Sequence, residues 1–561
     1  MEKVSNLIDA ITKKTVLLLF SVIIAFLTIA SLFGNCYVNN DEYTYYVSDR
    51  AYLHCVVLFL IFVGAMLIKK KNKIKIGEKT RLVLWYILLA AYTVIMIMVT
   101  LYVSMEPRAD QKSVYEVAIA MIKHDYSAFD IGGYMDVYPN QVGIVYFFYW
   151  IFQMFPFGYK TICVINAISL GGIVIGMSKI GQELSAKNNK YAVGIMTLLF
   201  FPISCYCTFV YGNLMGQALS TLGIWMALKY INNKEWKYVV LSILLNSFAI
   251  LIKENFLIPM IGVCIWILLD GLRTKKIRSF VFLVGLVVGS IVIPGIAKCH
   301  VQLISGKKIS SGVPSLAWVV MGMQEGYMAY GWHNQYNENV YRENNCDTET
   351  TNEIVREDFK ERLNYFAHNP AYTIKFFYQK TLSQWENPTF EAFWINDLTK
   401  RKSDGIKVKP LDGFLKSLSG EPGNKYIKEY CNFFESFVLV GVSFWLLFGW
   451  RKIKMEELLL ATIFIGGFIF HLFWEAKCQY IMPYFVLLFP YAYQGFCELV
   501  NILNEYFLSR RQKKSNIFEY KKLFIVGCVI ISILFLSLLG ETIVVKLFGF
   551  GNEQYLEFLK Q

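Results

Sequence analysis

One acidic residue directly follows an apolar run, where chemistry on a membrane lipid would require it. The segment 106–111 reads EPRADQ and comes after a charge-free run, so Asp110 is expected at the depth of lipid headgroups. Lipid phosphates lie at that depth, and a carboxylate there could act as the base in a reaction on a lipid-borne phosphate. Position alone fits an ordinary acidic residue at a helix end better, so the role depends on its neighbours.

The segment that follows offers amide side chains near a predicted helix start. Tyr138 precedes Pro139, which can begin a helix because its missing N–H costs nothing in a first turn. Asn140 and Gln141 come next and could contribute to a polar site. Capping and turn formation explain the same residues without any ligand.

Two later turns carry cations between apolar runs. Lys253 opens the tight turn Lys253-Glu254-Asn255 and could hold a lipid phosphate as a point charge, although a local interaction with Glu254 or plain solvation is the alternative. The turn 471–480 is also polar, and membrane-interface placement explains its aromatic residues better than its charges. Its candidates are His471, Glu475, Lys477 and Tyr480. Further segments that could line a sugar site, or belong to a soluble core, are Gly331-Trp332-His333 and Trp385-Glu386-Asn387-Pro388.

The elements that position these residues are predicted to be membrane helices. Of 561 residues, 55% are hydrophobic and 17% charged, and the apolar residues form runs long enough to cross a bilayer core. The sequence therefore predicts an all-α polytopic membrane protein with about thirteen transmembrane helices. The predicted spans are 15–34, 52–68, 82–104, 161–178, 191–209, 214–231, 238–252, 256–269, 279–297, 432–450, 457–474, 479–497 and 523–540.

Basic clusters decide the predicted sidedness of these spans. The loop 69–81 is rich in lysine and should be cytoplasmic, because cytoplasmic loops collect Lys and Arg. The later basic clusters fall on the same side only if the apolar run 139–155 does not cross, so this run is predicted to be an interfacial helix on the outer leaflet. The N-terminus is then inside, the C-terminus outside, and the loops 105–160 and 298–431 face outward.

Four segments follow from this topology. Residues 1–81 hold two additional N-terminal spans, 82–297 form a membrane core with its first outer loop at 105–160, 298–431 form a small extracytoplasmic domain, and 432–561 form the C-terminal membrane helices. Within 298–431, Thr350 and Glu353 resemble a capping box before an amphipathic helix. A second helix is predicted from Ala371 to about Trp385.

Composition excludes several classes of protein. The net charge of +13 lies in short clusters between apolar runs, so topology explains it and nucleic acid is not an expected partner. The twelve cysteines show neither CxxC pairs nor zinc-type spacing, and no cofactor or metal is expected. No predicted span carries an acidic or basic residue near its centre, which argues against a proton- or ion-coupled transporter.

Taken together, these motifs resemble a known family. A span followed by Arg108-Ala109-Asp110-Gln111, then Tyr138-Pro139-Asn140-Gln141, many spans, an outer domain and the turn 474–480 resemble the GT-C superfamily of membrane glycosyltransferases. The nearest branch is the protein-mannosyltransferase and aminoarabinose-transferase type, including bacterial cell-envelope relatives. The resemblance covers roughly residues 82–500, and the first two spans precede it.

The resemblance implies a reaction. Family members take a sugar from a polyprenyl-phosphate donor, usually with inversion, and their catalytic Asp lies in the first outer loop, which corresponds here to Asp110. Many carry an Arg-Tyr pair in the late outer turn, where this chain has Lys477 and Tyr480 at a different spacing. Many also place an acid in the second outer loop, which here reads Tyr211-Gly212-Asn213-Leu214, so a metal site of the oligosaccharyltransferase kind is not expected.

Such a transfer needs few groups. The polyprenyl phosphate is already a good leaving group, so one base and some cations suffice. Asp110 is the expected base, with Glu106 and Asp130 as rivals. The expected phosphate-binding residues are Arg108, Lys253, Lys477 and Tyr480, and the other site candidates are Gln111, Tyr138, Asn140, Gln141, Glu475 and His471.

The expected partners are a polyprenyl-phosphate-linked sugar, a glycan, lipid or protein acceptor of the cell envelope, and membrane lipids. The expected location is the cell membrane, with an extracytoplasmic active site. Two other functions remain open. A polysaccharide polymerase or lipid-linked glycan flippase would also show many spans and outer loops, and a non-enzymatic assembly or anchoring protein is the third possibility.

Overall fold

The chain is an α-helical multi-pass membrane protein. A computed structural model describes residues 2–38, 44–71, 77–103, 107–156, 158–184, 189–395, 423–450 and 453–511, with a few isolated residues between 524 and 535. Seven described helices are long and apolar enough to cross a membrane, or nine if each of two bent helix pairs forms one span. The predicted span 523–540 lies almost entirely outside the described residues.

The N-terminal half alternates long apolar helices with short connections. Two strands, β1 and β2, pair antiparallel between the first two helices. The elements are α1 (Glu2–Phe33), β1 (Gly34–Val38), β2 (Thr44–Ser48), α2 (Ala51–Lys71), α3 (Glu78–Tyr102), α4 (Asp110–Ile122), α5 (Tyr134–Val137), α6 (Val142–Met154), α7 (Tyr159–Leu184), α8 (Asn189–Leu199), α9 (Phe201–Cys205), α10 (Asn213–Asn233), α11 (Trp236–Ile252), α12 (Leu257–Thr274) and α13 (Ile277–Ser305).

The second half begins with a helical domain and returns to apolar helices. We call residues 306–395 the loop domain. Its helices are α14 (Ser315–Met321), α15 (Tyr336–Glu343), α16 (Thr348–His368), α17 (Pro370–Trp385) and α18 (Ala392–Ile395). The helices that follow are α19 (Gly423–Gly449), α20 (Leu459–Phe473), α21 (Cys478–Val486) and α22 (Phe489–Arg511).

Nine of the predicted spans correspond to helices or bent pairs that pass the length and hydropathy criteria. The bent pairs are 190–208, with a 62° bend, and 478–505, with a 49° bend. Of three more, 214–231 is helical but too polar and 238–252 is helical but too short, whereas 52–68 lies in α2, for which only residues 51–61 can be judged. Membrane helices commonly break where neighbouring protein can satisfy the freed backbone groups, and both breaks here lie in buried surroundings.

The apolar helices form one bundle. Helix α10 packs against α7 and α11, α12 contacts α13 and α20, and α1 packs on α19 and α20. Only 11% of the apolar window of α3 and 17% of that of α13 is buried, so these two helices present most of their surface to lipid.

Helix α6 holds the run that the sequence predicts not to cross. It has 13 residues, fewer than the roughly 20 that a bilayer core requires. Gly143 lets it approach α11 closely, because a Cβ there would lie 1.8 Å from the carbonyl oxygen of Leu251. Helices α4 and α6, which follow α3 and precede α7 along the chain, pack on each other, and α6 also contacts α11 and α13.

The loop domain has a small core of its own. Val313, Val320, Tyr341 and Val355 are buried together with Val137 from α5. Two sequence predictions for this region need correction. Helix α16 begins at Thr348 with Asp347 as its cap, whose carboxylate accepts a hydrogen bond from the backbone N–H of Thr350, so the capping box at Thr350 is wrong. The domain also begins later than residue 298, because α13 continues to Ser305.

The basic loops are joined at one end of the bundle. Arg273 lies 3.6 Å from Asp9 and 3.5 Å from Glu456, and Lys190 pairs with Glu78 at 2.7 Å. The turns that contain Asp110, Lys253 and Glu475 meet one another instead at the start of α4. Opposite ends of the bundle therefore carry the basic loops and the polar turns that the sequence singles out.

Candidate functional site

Asp110 is the first residue of α4 and follows a strained residue. Ala109 has φ 49° and ψ −140°, a conformation that residues with a Cβ rarely adopt. Such strain persists only where surrounding structure enforces it, and it is concentrated at functional sites. The N-terminal position also places the carboxylate near the positive end of the helix dipole, which favours its ionised form.

Tyr211 connects Asp110 to the rest of the site. Its hydroxyl donates to Asp110 Oδ2 at 3.3 Å and accepts from Gln141 Nε2 at 2.9 Å. The neighbouring residue, Gly212, has φ 76°, and a Cβ there would lie 2.8 Å from Ile252. The glycine therefore permits the tight turn that brings the Tyr211 side chain to the start of α4.

Gln111 aligns the same turn. Its side-chain oxygen accepts a hydrogen bond from the backbone N–H of Val210 at 3.0 Å, and the side chain is buried. Gln111 therefore fixes the position of the backbone segment that carries Tyr211.

Burial and the neighbouring charges have opposite effects on the pKa of Asp110. Although its side chain is exposed, protein atoms surround much of it and raise the pKa of this carboxyl. The charges of Lys477, His333 and Lys253, together with the Tyr211 hydrogen bond, counteract this rise. A carboxyl with a raised pKa amid cations is a stronger base than a fully solvated one and can still be ionised.

Lys253 lies on the other side of Tyr211. Its ammonium donates to Asn213 Oδ1 at 2.6 Å and lies 4.2 Å from the centre of the Tyr211 ring and 5.8 Å from that of Tyr480. Burial lowers the pKa of Lys253 to about 7, against the opposing influence of Asp110 and Glu475. An anionic ligand bound nearby would therefore raise this pKa again and stabilise the charged form of Lys253.

The turn between α20 and α21 supplies the remaining charges. Glu475 is buried, accepts from the Tyr480 hydroxyl at 3.3 Å, and lies 3.7 Å from Nδ1 of His333. Burial raises the pKa of Glu475, and Lys477 and His333 counteract it. Lys477 is also buried, with its ammonium 5.6 Å from the centre of the Trp332 ring.

The loop domain holds this turn in place. Lys380 on α17 donates to the carbonyl oxygen of Trp474 at 2.7 Å, and the backbone N–H of Ala476 donates to the carbonyl of Gly331 at 2.8 Å. The side chain of Gln384 donates to the carbonyl of Lys477 at 3.3 Å. Membrane helices and the loop domain thus both determine where Glu475 and Lys477 lie.

A small groove opens beside Lys253. Among its apolar lining residues, Pro259 belongs to α12, and Pro483 and Tyr484 belong to α21. The lining residues are Asn213, Lys253, Asn255, Phe256, Pro259, Gln479, Tyr480, Pro483 and Tyr484. Leu257, Ile261 and Ile265 are exposed at helical spacing along α12, so an apolar surface continues from the turn along this helix.

Other predicted site residues lie outside this cluster or at its edge. Tyr138 donates to Glu338 at 2.9 Å, Asn140 is exposed, and Arg108 is half-buried just before Ala109. His471 is fully buried, with its ring stacked 5.9 Å from that of Tyr480, and supports Tyr480 by packing.

The two rivals to Asp110 do not share its surroundings. Asp130 forms an exposed ion pair with Lys307. Glu106 lies outside the described residues. Among the described acids, Asp110 and Glu475 are therefore the ones that influence each other and Lys253.

The sequence analysis assigns no role to three contributors. Tyr211 and Asn213 appear there only as a turn without an acid, yet a Tyr-Gly-Asn turn between apolar runs could have indicated a polar site, and Glu338 gives no signal. His333, by contrast, is among the residues that the sequence suggests for a sugar site. These residues come together through contacts between distant segments, which no local pattern records.

Comparison with known proteins gives no assignment. No protein-family model matches the chain, and no curated protein matches it either.

The site can therefore be judged only by its chemistry. It combines a carboxylate able to accept a proton, cations able to hold an anion, and an adjoining partly apolar groove. Within the described residues, no three Asp, Glu, His or Cys side chains converge at metal-ligand spacing. The arrangement suits a proton transfer coupled to the departure of an anionic group from an amphipathic ligand.

Proposed function

We propose that this protein is a GT-C-type glycosyltransferase that moves a sugar from a polyprenyl-phosphate donor to a cell-envelope acceptor, with Asp110 as general base. The observation that carries the proposal is the convergence of Asp110, Tyr211 and Lys253 beside a partly apolar groove. A base and a cation on either side of one tyrosine match a reaction in which an acceptor hydroxyl loses a proton while a phosphate departs.

In this proposal the donor phosphate binds at Lys253, between Asn213 and Tyr480, and its isoprenoid tail follows the groove and the exposed face of α12. Lys477 and Arg108 add positive potential near the phosphate. The acceptor approaches from the side of the loop domain, where His333 and Glu338 lie. Asp110 takes the proton of the attacking hydroxyl, and the sugar is transferred with inversion.

The proposal includes a topology. Thirteen spans, an interfacial α6 and an outward-facing site would place the reaction at the outer face of the cell membrane, with the basic loops inside. Single cysteines near Lys275 and near Glu353 test this with a membrane-impermeant thiol reagent in intact cells. We expect labelling near Glu353 only, and labelling near Lys275 would reverse the proposed sidedness.

The direct test is transfer by the purified protein in liposomes. A labelled polyprenyl-phosphate sugar and an envelope extract are supplied, and the labelled product is identified by mass spectrometry. We expect Asp110→Asn to reduce turnover by about 10²–10⁴, because the amide keeps the size of the side chain but cannot accept the proton. Glu116→Gln, on the exposed face of the same helix, should behave as wild type.

One observation keeps a lipid-linked glycan flippase as the second candidate. Glu435 is buried close to the midpoint of helix α19, where a charge could line a translocation cavity. Movement of the labelled lipid across the liposome membrane without a new glycosidic bond would favour the flippase.

Turnover of Asp110→Asn within about threefold of wild type, in a properly inserted protein, would reject the proposed base.

A further inference from the structure

A second group of buried acids lies apart from Asp110 and is built by different elements. Glu386 follows the last residue of α17, Glu435 lies within α19, and Asp49 lies between β2 and α2. Their residues are only 1%, 2% and 6% exposed, respectively. Three carboxyl groups this deeply buried require compensation from their surroundings.

Asp49 has partners of its own. Its Oδ1 accepts from Asn432 Nδ2 at 2.6 Å and from the backbone N–H of Arg50 at 2.7 Å. A further hydrogen bond from the Asn35 side chain and the nearby His54 ring, at 3.6 Å, add to these. Two asparagine amides thus direct their N–H groups towards this one carboxylate.

The other oxygens of the group have no donor. Both carboxylate oxygens of Glu386, both of Glu435, and the amide oxygens of Asn35 and Asn432 are buried without a hydrogen-bond partner in the described structure. Since the two amides turn their nitrogens to Asp49, their oxygens are left unsatisfied. The group therefore has a surplus of oxygen acceptors, and a buried acceptor without a partner costs about 1–3 kcal/mol.

Nearby charges make the deficit worse. Burial raises the pKa of Glu386 well above its ordinary value, and the neighbouring Glu435 and Asp49 raise it further. Tyr378, Cys431 and Cys478 also lie near the two glutamates, and none of these side chains can carry a positive charge. The ammonium of Lys428 lies over the rings of Tyr37 and Phe393, and no cation is among the described groups that act on Glu386 or Glu435.

We propose that Glu386 and Glu435, with the amide oxygens of Asn35 and Asn432, bind a hard divalent cation of the Ca²⁺ type. The unsatisfied side-chain atoms of these four residues are all oxygens, and carboxylate and amide oxygens together are the ligand set that Ca²⁺ prefers. A dication also balances the two glutamates, whereas Asp49 Oδ1 already accepts two hydrogen bonds and Asp49 Oδ2 lies 3.6 Å from the His54 ring. The site has two uncompensated carboxylates and otherwise neutral oxygens, so it differs from a cluster of three or more acidic, histidine or cysteine ligands.

The site would give the N-terminal segment a structural role. Strand β1 donates from the N–H of Cys36 to the carbonyl of Glu386 at 2.7 Å, and Tyr46 in β2 donates to the carbonyl of Gln379 at 3.2 Å. A cation held by Asn35, Glu386 and Asn432 would join this hairpin to the end of α17 and to α19. The cation would then stabilise the packing of the first two helices against the rest of the bundle.

Thermal unfolding of the purified full-length protein tests the proposal. The protein is stripped with EGTA, dialysed, and heated at pH 7.5 while tryptophan fluorescence is followed during titrations with CaCl₂, MgCl₂ or NaCl. We expect CaCl₂ to raise the unfolding midpoint to a saturating value, with MgCl₂ weaker and NaCl without effect at matched ionic strength. Glu386→Gln and Glu435→Gln should each lose this response, and Glu357→Gln, at an exposed position on α16, should keep it.

Two further measurements distinguish loss of the cation site from misfolding of the glutamine variants. Titration calorimetry of the wild-type protein should show one Ca²⁺ site, and Glu435→Asp, which keeps the charge and shortens the side chain, should bind more weakly. The proposal is overturned if the wild-type midpoint ignores CaCl₂ or if both glutamine variants keep the response. None of these results depends on whether the protein transfers sugar.

Discussion

Two groups of ionisable residues in this protein differ in the signs of their charges. Around Asp110, two carboxylates meet two lysines and a histidine, and each charge lowers the cost of ionising its opposite. Around Glu386, the neighbouring acids Glu435 and Asp49 both raise the cost of ionising its carboxyl group. The first group can stay charged in its own surroundings, and the second would gain most from the bound cation proposed above.

This difference distinguishes a site suited to catalysis from a site suited to structural cation binding. A mixed group leaves its carboxylate accessible and ready to exchange a proton, which is what a general base requires. A group of like charges gains most from a bound cation and is then fixed in place. Asp110 is exposed, whereas Glu386 and Glu435 are buried, as these two roles would require.

The largest effect on the mixed group should come from removing its buried cation. Lys253→Met should weaken binding of a polyprenyl-phosphate sugar by about 10- to 100-fold, because a charged hydrogen bond contributes about 1.5–3 kcal/mol. Binding is measured by titration in detergent, with thermal unfolding as a check on folding. Lys112→Met on the exposed face of α4 is the matched control. Equal donor affinity in Lys253→Met and wild type would remove Lys253 from the donor site.

The pH dependence of transfer should reveal both charges of the mixed group. As pH falls through the raised pKa of Asp110, the base takes up a proton and kcat/KM declines. As pH rises through about 7, Lys253 loses its charge and kcat/KM declines again. The profile should be bell-shaped, with up to about tenfold loss per pH unit on each limb. Lys253→Arg should move the alkaline limb upward, and an unmoved limb would assign it to another group.

The two groups should respond differently to loss of one negative charge. In EGTA at pH 8, Glu435→Gln should raise the free energy of unfolding by about 1–3 kcal/mol, because a neutral amide replaces a buried carboxylate that has no donors. Asp110→Asn should change it by less, since Asp110 is exposed and has cations nearby. Denaturant titration of both variants gives the comparison. Destabilisation by Glu435→Gln in EGTA would mean that the acidic group is already compensated.

The smallest effect concerns the hydroxyl that joins the mixed group. Tyr211→Phe removes the hydrogen bonds to Asp110 and Gln141 and keeps the ring beside Lys253. A loss of about 1 kcal/mol corresponds to about fivefold lower kcat/KM, with donor affinity preserved. Steady-state kinetics with donor and acceptor varied in turn provide the measurement. A reduced donor affinity without loss in kcat would place Tyr211 in binding instead of orientation.

The sequence by itself determined the class of protein and much of the helix pattern. Long charge-free runs cannot be placed in water at acceptable cost, so α1, α3, α7, α13 and α20 follow from composition alone. It also singled out Asp110, Lys253, Glu475 and Lys477, because charges beside apolar runs are few and each stands out. Helix α17 was predicted to within a residue, since Asn369-Pro370 marks its start.

Only the tertiary structure decided which of these charges meet. Tyr211 lies 101 positions from Asp110, and Glu386 and Asp49 are separated by most of the chain, so no local pattern connects them. Helix bounds also differ from the prediction, because α19 includes residues from Gly423, ahead of the predicted span at 432–450, and Glu435 therefore lies within the helix. The sequence sets which groups must leave water. The fold determines which partners compensate them, because compensation depends on distances that arise only when remote segments pack.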